Sequence, residues 1–153
     1  MRHFMVMIAC MMVCGCAAVT RIPFPQEEYA ALPTTGTATI TGQAFTEPMC
    51  RFVEVAAGEE VWLVPVTSYS DQWYNEHYIN NNDLTEDDPR QQAFIRKVTA
   101  DGEGRFTFRN VPAGEYYITS QVSWISGGTI QRVVIAKKTA VADGQELNVI
   151  LTK

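Results

Sequence analysis

The sequence predicts an all-β fold, an antiparallel β-sandwich of about seven strands carrying one short helical insertion. Three observations carry that expectation. Asp101-Gly-Glu-Gly104 is a turn, Phe106 and Phe108 alternate with polar residues, and Pro112-Ala-Gly114 breaks that strand before a longer one begins. Pro112 has no N–H to give to a ladder, so strand, loop and strand is the economical reading. Gly127-Gly128 stands between two apolar runs, a strong signal for a two-residue hairpin. Leu147, Val149 and Leu151 then alternate with polar neighbours in a last strand.

The remaining strands follow from the same periodicity. Thr37 to Thr46 is rich in threonine, with Ile40 and Phe45, and Gly42 suggests a bulge. Met49 to Val55 reads as a short edge segment. Val61-Trp-Leu-Val-Pro-Val66 is apolar on both faces, which argues for a strand covered on both sides. Tyr116, Ile118, Ser120, Val122 and Trp124 mark one face of the strand after the Pro-Gly loop. Thr129 to Val141 returns from the hairpin, with Lys137-Lys138 discouraging edge pairing. Asp143-Gly144 turns the chain into the final strand.

The pattern Asp-x-x-Gly-Arg-Phe-x-Phe-x-Asn-Val-Pro-Ala-Gly-Glu-Tyr over residues 101–118 resembles the signature of the carboxypeptidase regulatory-like domains, which are transthyretin-like (prealbumin-like) β-sandwiches. Thr39-Ile-Thr-Gly-Gln43 and Glu60-Val-Trp-Leu-Val-Pro65 resemble the opening strands of that family more loosely. The resemblance implies a fold and little about function. Such domains occur as non-catalytic appendages of peptidases, as repeats in surface proteins and as free-standing envelope lipoproteins. The motif residues shape turns and core, so no binding residue carries over.

Residues 1–15 read as a lipoprotein signal peptide. Met1-Arg-His-Phe4 supplies the positive charge, and Phe4 to Val13 is an apolar run of about ten residues, too short to span a bilayer. Val13-Cys-Gly-Cys16 resembles a bacterial lipobox, with a small residue before the cysteine that takes the lipid. Cys16 fits best: Cys10 would have too short an apolar run, and Cys14 follows the bulky Val13. Ala17 in place of an aspartate favours the outer membrane, with the protein lipid-anchored on its periplasmic face. The alternative, Cys10, Cys14 and Cys16 as buried or metal-bound cysteines, lacks ligands of fitting spacing downstream.

Loss of the signal makes the formal net charge of −5 one unit more negative, because Arg2 leaves with it. An acidic chain of this kind is a poor nucleic-acid binder, and without a polybasic patch its membrane attachment falls to the lipid on Cys16. Only Cys50 then remains as a free cysteine, a small buried residue or an intermolecular partner, and the mature fold has no internal disulfide.

Residues 16–36 read as the lipidated cysteine and an extended spacer, since Ile22-Pro-Phe-Pro25 and Leu32-Pro33 favour extended backbone. The plain reading is a tether. The sharper one docks Ile22, Phe24 and Tyr29 on another protein. Residues 37–153 form the sandwich domain, with a helix and loop insertion over about 68–92. There Ser68 or Ser70 is expected to cap a short helix whose Tyr69, Trp73 and His77 recur at i, i+4 and i+8, with Tyr74 and Tyr78 beside them. That face either packs on the sheet or presents an aromatic patch to a glycan, a peptide or a protein. Asp83, Glu86, Asp87 and Asp88 offer hard oxygens suited to Ca²⁺, but without EF-hand spacing, so a solvated loop is expected and no metal.

No catalytic grammar is present. His77 is the one histidine of the mature chain, Ser68, Ser70 and Asp71 lie too close to it in sequence to favour a triad, and no phosphate loop opens a helix. The expected function is therefore non-catalytic: an accessory or structural envelope subunit, anchored to the outer membrane and docking on protein partners through its sandwich. The alternative is a ligand- or glycan-binding module that uses residues 69–78. Neither needs a cofactor beyond the covalent lipid.

Overall fold

Strand β1 (Ala38–Thr46) is the hub of the first of two four-stranded sheets in the computed structural model, which describes residues 18–47 and 52–153. It pairs antiparallel with β5 (Arg105–Val111), parallel with β8 (Glu146–Leu151), and antiparallel at its end with the two-residue β2 (Glu54–Val55). The second sheet runs β4–β3–β6–β7, all antiparallel, from β3 (Glu60–Pro65), β4 (Arg96–Thr99), β6 (Gly114–Ser126) and β7 (Thr129–Val141). The fold is thus an all-β sandwich of eight strands with few, short helices. Ile40, Phe106 and Phe108 of the first sheet meet Leu63, Ile118 and Val122 of the second in one continuous core.

The turns that set this topology are built from the residues that mark it in the sequence. Asp101 accepts backbone bonds from Glu103 (2.9 Å) and Arg105 (2.8 Å), which closes the turn into β5 around Gly104 at φ +75°. At the far end of β5, Tyr116 reaches back and donates its buried hydroxyl to the Pro112 carbonyl at 2.9 Å. Gly127 and Gly128 both have positive φ, and Ser126 pairs with Thr129, so β6 and β7 form a tight two-residue hairpin.

Several expectations change. The final pairing is parallel, because β8 arrives from the opposite sheet and enters along the free side of β1. The register shift of β1 falls between Ala38 and Ile40 and not at Gly42. Gly42 instead makes room: a Cβ there would lie 2.3 Å from the Val149 carbonyl oxygen and 2.5 Å from the Phe106 ring. The insertion helix α2 (Ser68–Gln72) is capped by Thr67, in a reciprocal box with Ser70, and not by either serine as N-cap. It continues as a π-helical stretch (Trp73–Ile79), with Asn80 N–H bonding the Asn75 carbonyl five residues back at 3.0 Å. A 3₁₀ segment (Pro89–Phe94), capped by Asp88, then leads into β4. Among the described residues no helix is long and apolar enough to cross a membrane. Cys10, Cys14, Cys16 and Cys50 lie outside the described residues.

The segment read as a spacer is the largest departure. Residues 19–29 pack on the chain's own insertion. Val19 forms a parallel bridge with Leu84, and its N–H donates to the Asp83 carbonyl at 2.7 Å. Arg21 is buried, donates to the Tyr69 carbonyl at 3.0 Å, pairs with Asp87 and lies over the Tyr69 ring. A short helix α1 (Gln26–Ala30) carries Tyr29, 2% exposed, against Phe24 and Phe94. The prolines do extend the chain, but the aromatic and guanidinium groups between them have more to gain from the insertion than from water.

Three outcomes follow. Gly42→Ala is expected to lower stability by about 2–3 kcal/mol in urea unfolding, because two rigid neighbours face the added methyl. Arg21→Ala is expected to cost about 2 kcal/mol, discounted because Asp87 is half exposed, and to expose residues 18–32 to proteolysis before the sandwich opens. The strap is also acid-sensitive. Arg90 hydrogen bonds hold the Asp88 carboxyl at about 2, and the Ser68 hydroxyl and N–H lower that of Glu28. Both folded-state values lie below the ordinary 3.8 and 4.5, so their contribution is complete above about pH 4.5 and is lost as pH falls towards 2. Amide exchange around Ser68 and Arg90 should accelerate over that window and ahead of exchange in β6.

Candidate functional site

Strand alternation sends Trp62 and Val64 of β3, and Tyr117, Thr119 and Gln121 of β6, to the face of the second sheet that points away from the core. Trp62 stands opposite Thr119 on one side and Lys97 on the other, and Val64 opposite Tyr117. An apolar floor of this kind needs cover. The insertion supplies it at one end only. Tyr74 stacks on Tyr117 with centroids 4.4 Å apart and planes 19° apart, and Tyr117 donates its hydroxyl to Asp71 at 2.6 Å. Burial, and then the Asp71 carboxylate, push the Tyr117 phenol well above its ordinary pKa, so it stays a donor at any physiological pH.

Where the cover stops, a cleft of about 400 Å³ opens, within the usual range of small-ligand sites. Its floor is the Trp62, Thr119 and Gln121 row. Ser70, Trp73 and His77 of the helix form one wall, and Gln91 and Gln92 of the 3₁₀ segment, with Ile95 just after it, form the other. Glu59, Glu60, Arg21 and Asp87 lie at the margin. The Trp62 indole N–H donates to Glu60 at 3.0 Å, and the Lys97 ammonium sits 4.0 Å from the Trp62 ring centroid, which holds that ring in place. Gln72 donates to the Thr20 carbonyl (2.9 Å) and accepts from the Ile22 N–H (3.0 Å), so the strap braces the helical wall from behind.

The residues singled out in the sequence divide into three groups. Trp73 and His77 come together at 5.9 Å and both line the cleft. Tyr74 and Tyr78 lie next to them, with Tyr78 stacked on Trp73 at 6.2 Å and Tyr74 tilted against Tyr78 at 5.2 Å, but they serve as backing. Tyr69 is buried on the other side of the helix, where Phe24 meets it edge-on at 5.8 Å and its hydroxyl accepts the Asp88 N–H at 2.7 Å. Phe24 is half-buried between Tyr29 and the Arg90 guanidinium, and Ile22 is partly exposed. The π-helical stretch adds an i+5 contact, Trp73–Tyr78, to the i+4 pairs Trp73–His77 and Tyr74–Tyr78.

Trp62, Gln91, Gln121 and Arg21 complete the cleft and were not singled out in the sequence. Trp62 had a usable signal, since a tryptophan on the outer side of a two-faced strand needs a partner. The glutamines had none. Among the described residues, no three His, Cys, Asp or Glu side chains are placed to hold a metal ion. Asp87 and Asp88 of the acidic loop are engaged by Arg21 and Arg90.

The cleft therefore combines half-buried aromatic rings with side-chain amides, each of which both donates and accepts hydrogen bonds. It can hold a flat, hydroxylated ligand.

No protein-family model matches the chain, and no curated protein matches it. Among solved structures the fold is similar to the crystal structure of a "putative carbohydrate binding protein" from Pseudomonas aeruginosa, with a TM-score of 0.76 and 28% sequence identity, over 87% of this chain and 99% of that one.

Proposed function

We propose that the protein is a non-catalytic carbohydrate-binding module of the bacterial envelope, held at the outer membrane by a lipid on Cys16. The observation that carries this reading is the cleft itself. Sugar rings present a C–H face that gains dispersion and electrostatic contact from an aromatic face, and a rim of hydroxyls that pairs with planar amide and carboxylate groups. Trp73 and Trp62 supply the first kind of contact, Gln91, Gln121 and Glu60 the second. The similarity to the Pseudomonas aeruginosa protein supports the same reading. The strand–loop–strand pattern of residues 101–118 supports placing the sandwich among the carboxypeptidase regulatory-like domains, whose role here is scaffolding.

The second reading is an accessory subunit docked on an envelope complex. It draws on the tip of the β6–β7 hairpin, where Ile125 and Ile130 pair across the strands and are 77% and 57% exposed. In that reading the hairpin tip, and not the cleft, makes the contact.

Titration of the mature chain with short β-linked hexose and N-acetylhexosamine oligomers, read by tryptophan fluorescence, separates the two. Saturable change is expected with at least one of them. Trp73→Ala should weaken it about tenfold or more, as loss of a buried aromatic anchor does, and Gln121→Leu should weaken it with little effect on unfolding. Paired Ile125→Ser and Ile130→Ser changes should leave it intact. No saturable change with any oligomer, together with stoichiometric envelope proteins retained by the wild type and lost from the hairpin variant, would replace the first reading by the second. Cys16→Ala is expected to move the protein from the membrane to the soluble fraction, and retention on the membrane would remove the lipid anchor from the proposal.

A further inference from the structure

Resting on the glycan-binding reading, we propose that the cleft selects glycans with free amino groups, such as a de-N-acetylated hexosamine chain, over their N-acetylated and uronic acid counterparts. The argument is one of unspent charge. Arg21 is the one guanidinium of the cleft, and it is consumed: it pairs with Asp87, donates to the Tyr69 carbonyl and lies over the Tyr69 ring at 4.0 Å. Of the other cations on the outer face of the sheet, Lys97, Lys138 and Arg132, none lines the cleft. Lys97 sits on the Trp62 ring, and Lys138 lies 3.7 Å from Glu115 and near the Tyr117 ring.

The carboxylates are not spent in the same way. Glu59 and Glu60 line the cleft, and neither forms an ion pair among the described residues. Glu60 receives the Trp62 indole N–H on one oxygen at 3.0 Å and has no side-chain donor on the other. That indole bond fixes the carboxylate beside the aromatic floor on which a sugar ring would rest. An amino group at the edge of that ring would find an oriented acceptor and make a charge-assisted hydrogen bond, roughly twice as strong as a neutral one. A uronate would lose water beside two like charges, and the one cation lining the cleft, Arg21, is already paired. An acetamido group would leave both carboxylates to solvent. The overall net charge of −5 adds long-range attraction of the same sign.

The test compares β-1,4-linked glucosamine oligomers, the same oligomers fully N-acetylated, and oligouronates of equal length. It is run at one mildly acidic pH, the same for all three ligands, so that the glucosamine amines are protonated. The glucosamine oligomer is expected to bind about tenfold tighter than its acetylated form, a difference of about 1.4 kcal/mol, and the oligouronate not at all. Glu60→Gln, and more fully Glu59→Gln with Glu60→Gln, should bring that ratio close to one by lowering the affinity for the glucosamine oligomer more than that for the acetylated one. Equal binding of the two hexosamine oligomers, both lost in Trp73→Ala, would overturn the charge selection and leave the glycan site standing. Glucosamine binding that survives Trp73→Ala and the glutamate changes would be general adhesion to an acidic protein, and it too would overturn the proposal. Failure of every oligomer would remove the glycan reading with it.

Discussion

Tyr117 sits on the outer face of β6, and its burial governs that whole side of the molecule. A sandwich needs only its inner faces covered. Here the second sheet also carries Trp62, Val64 and Tyr117 outward, and strand alternation leaves them nowhere else to go. Tyr74 stacks on Tyr117 and Asp71 takes its hydroxyl bond, so the insertion between β3 and β4 is pinned to the sheet by one ring and one proton. The raised phenol keeps its proton and donates it, which suits the partnership, since a carboxylate can accept but not donate. Because the pin lies at one end of the floor, the rest of the floor stays open, and the cleft is what remains uncovered.

The insertion is in turn held by the N-terminal strap, and the two stabilise each other. Arg21 joins the helix, through the Tyr69 carbonyl, to the acidic loop, through Asp87. Glu28 accepts bonds from the Ser68 N–H (2.7 Å) and hydroxyl (2.6 Å), and Asp88 caps the 3₁₀ segment while pairing with Arg90. A seven-residue π-helical stretch is seldom stable alone. Here it is bracketed by the Thr67–Ser70 capping box before it and by aromatic stacking within it. The order of dependence runs from sheet to helix to strap, so the strap is the part expected to open first.

Local signals in the sequence were legible wherever the backbone itself imposed a residue type. Gly127-Gly128 needed two positive φ angles, and Asp101 and Gly104 closed a turn that few other residues could close. The inward set of β6 followed from period-two alternation. What could not be read depended on long-range partners. Gly42 looked like a bulge because the Phe106 ring that needs its space is far along the chain. The parallel pairing of β8 is a property of the crossing between sheets and not of any local run. The strap looked like a tether because prolines report backbone shape, while Arg21 and Tyr29 found partners dozens of residues away. In the cleft, Trp73 and His77 were visible as aromatic residues on a helix, but the glutamines opposite them carry no pattern.

The docked strap also changes what an anchor at Cys16 would do. A free spacer of about twenty residues would let the domain roam over tens of ångströms. With Val19 bridged to Leu84, only Ala17 and Ala18 separate Cys16 from the folded body, a reach of roughly 11 Å at full extension. Under the proposed lipidation the acyl chains would hold the insertion side of the molecule, and with it the Arg21 and Asp87 margin of the cleft, close to the bilayer surface. A cleft so placed would meet glycans at the membrane face more readily than glycans far from it. Any force on the anchor would act first on Val19 and Arg21, which brace the wall that carries Trp73. Under the two proposals, attachment and binding would be mechanically connected through the same short run of residues.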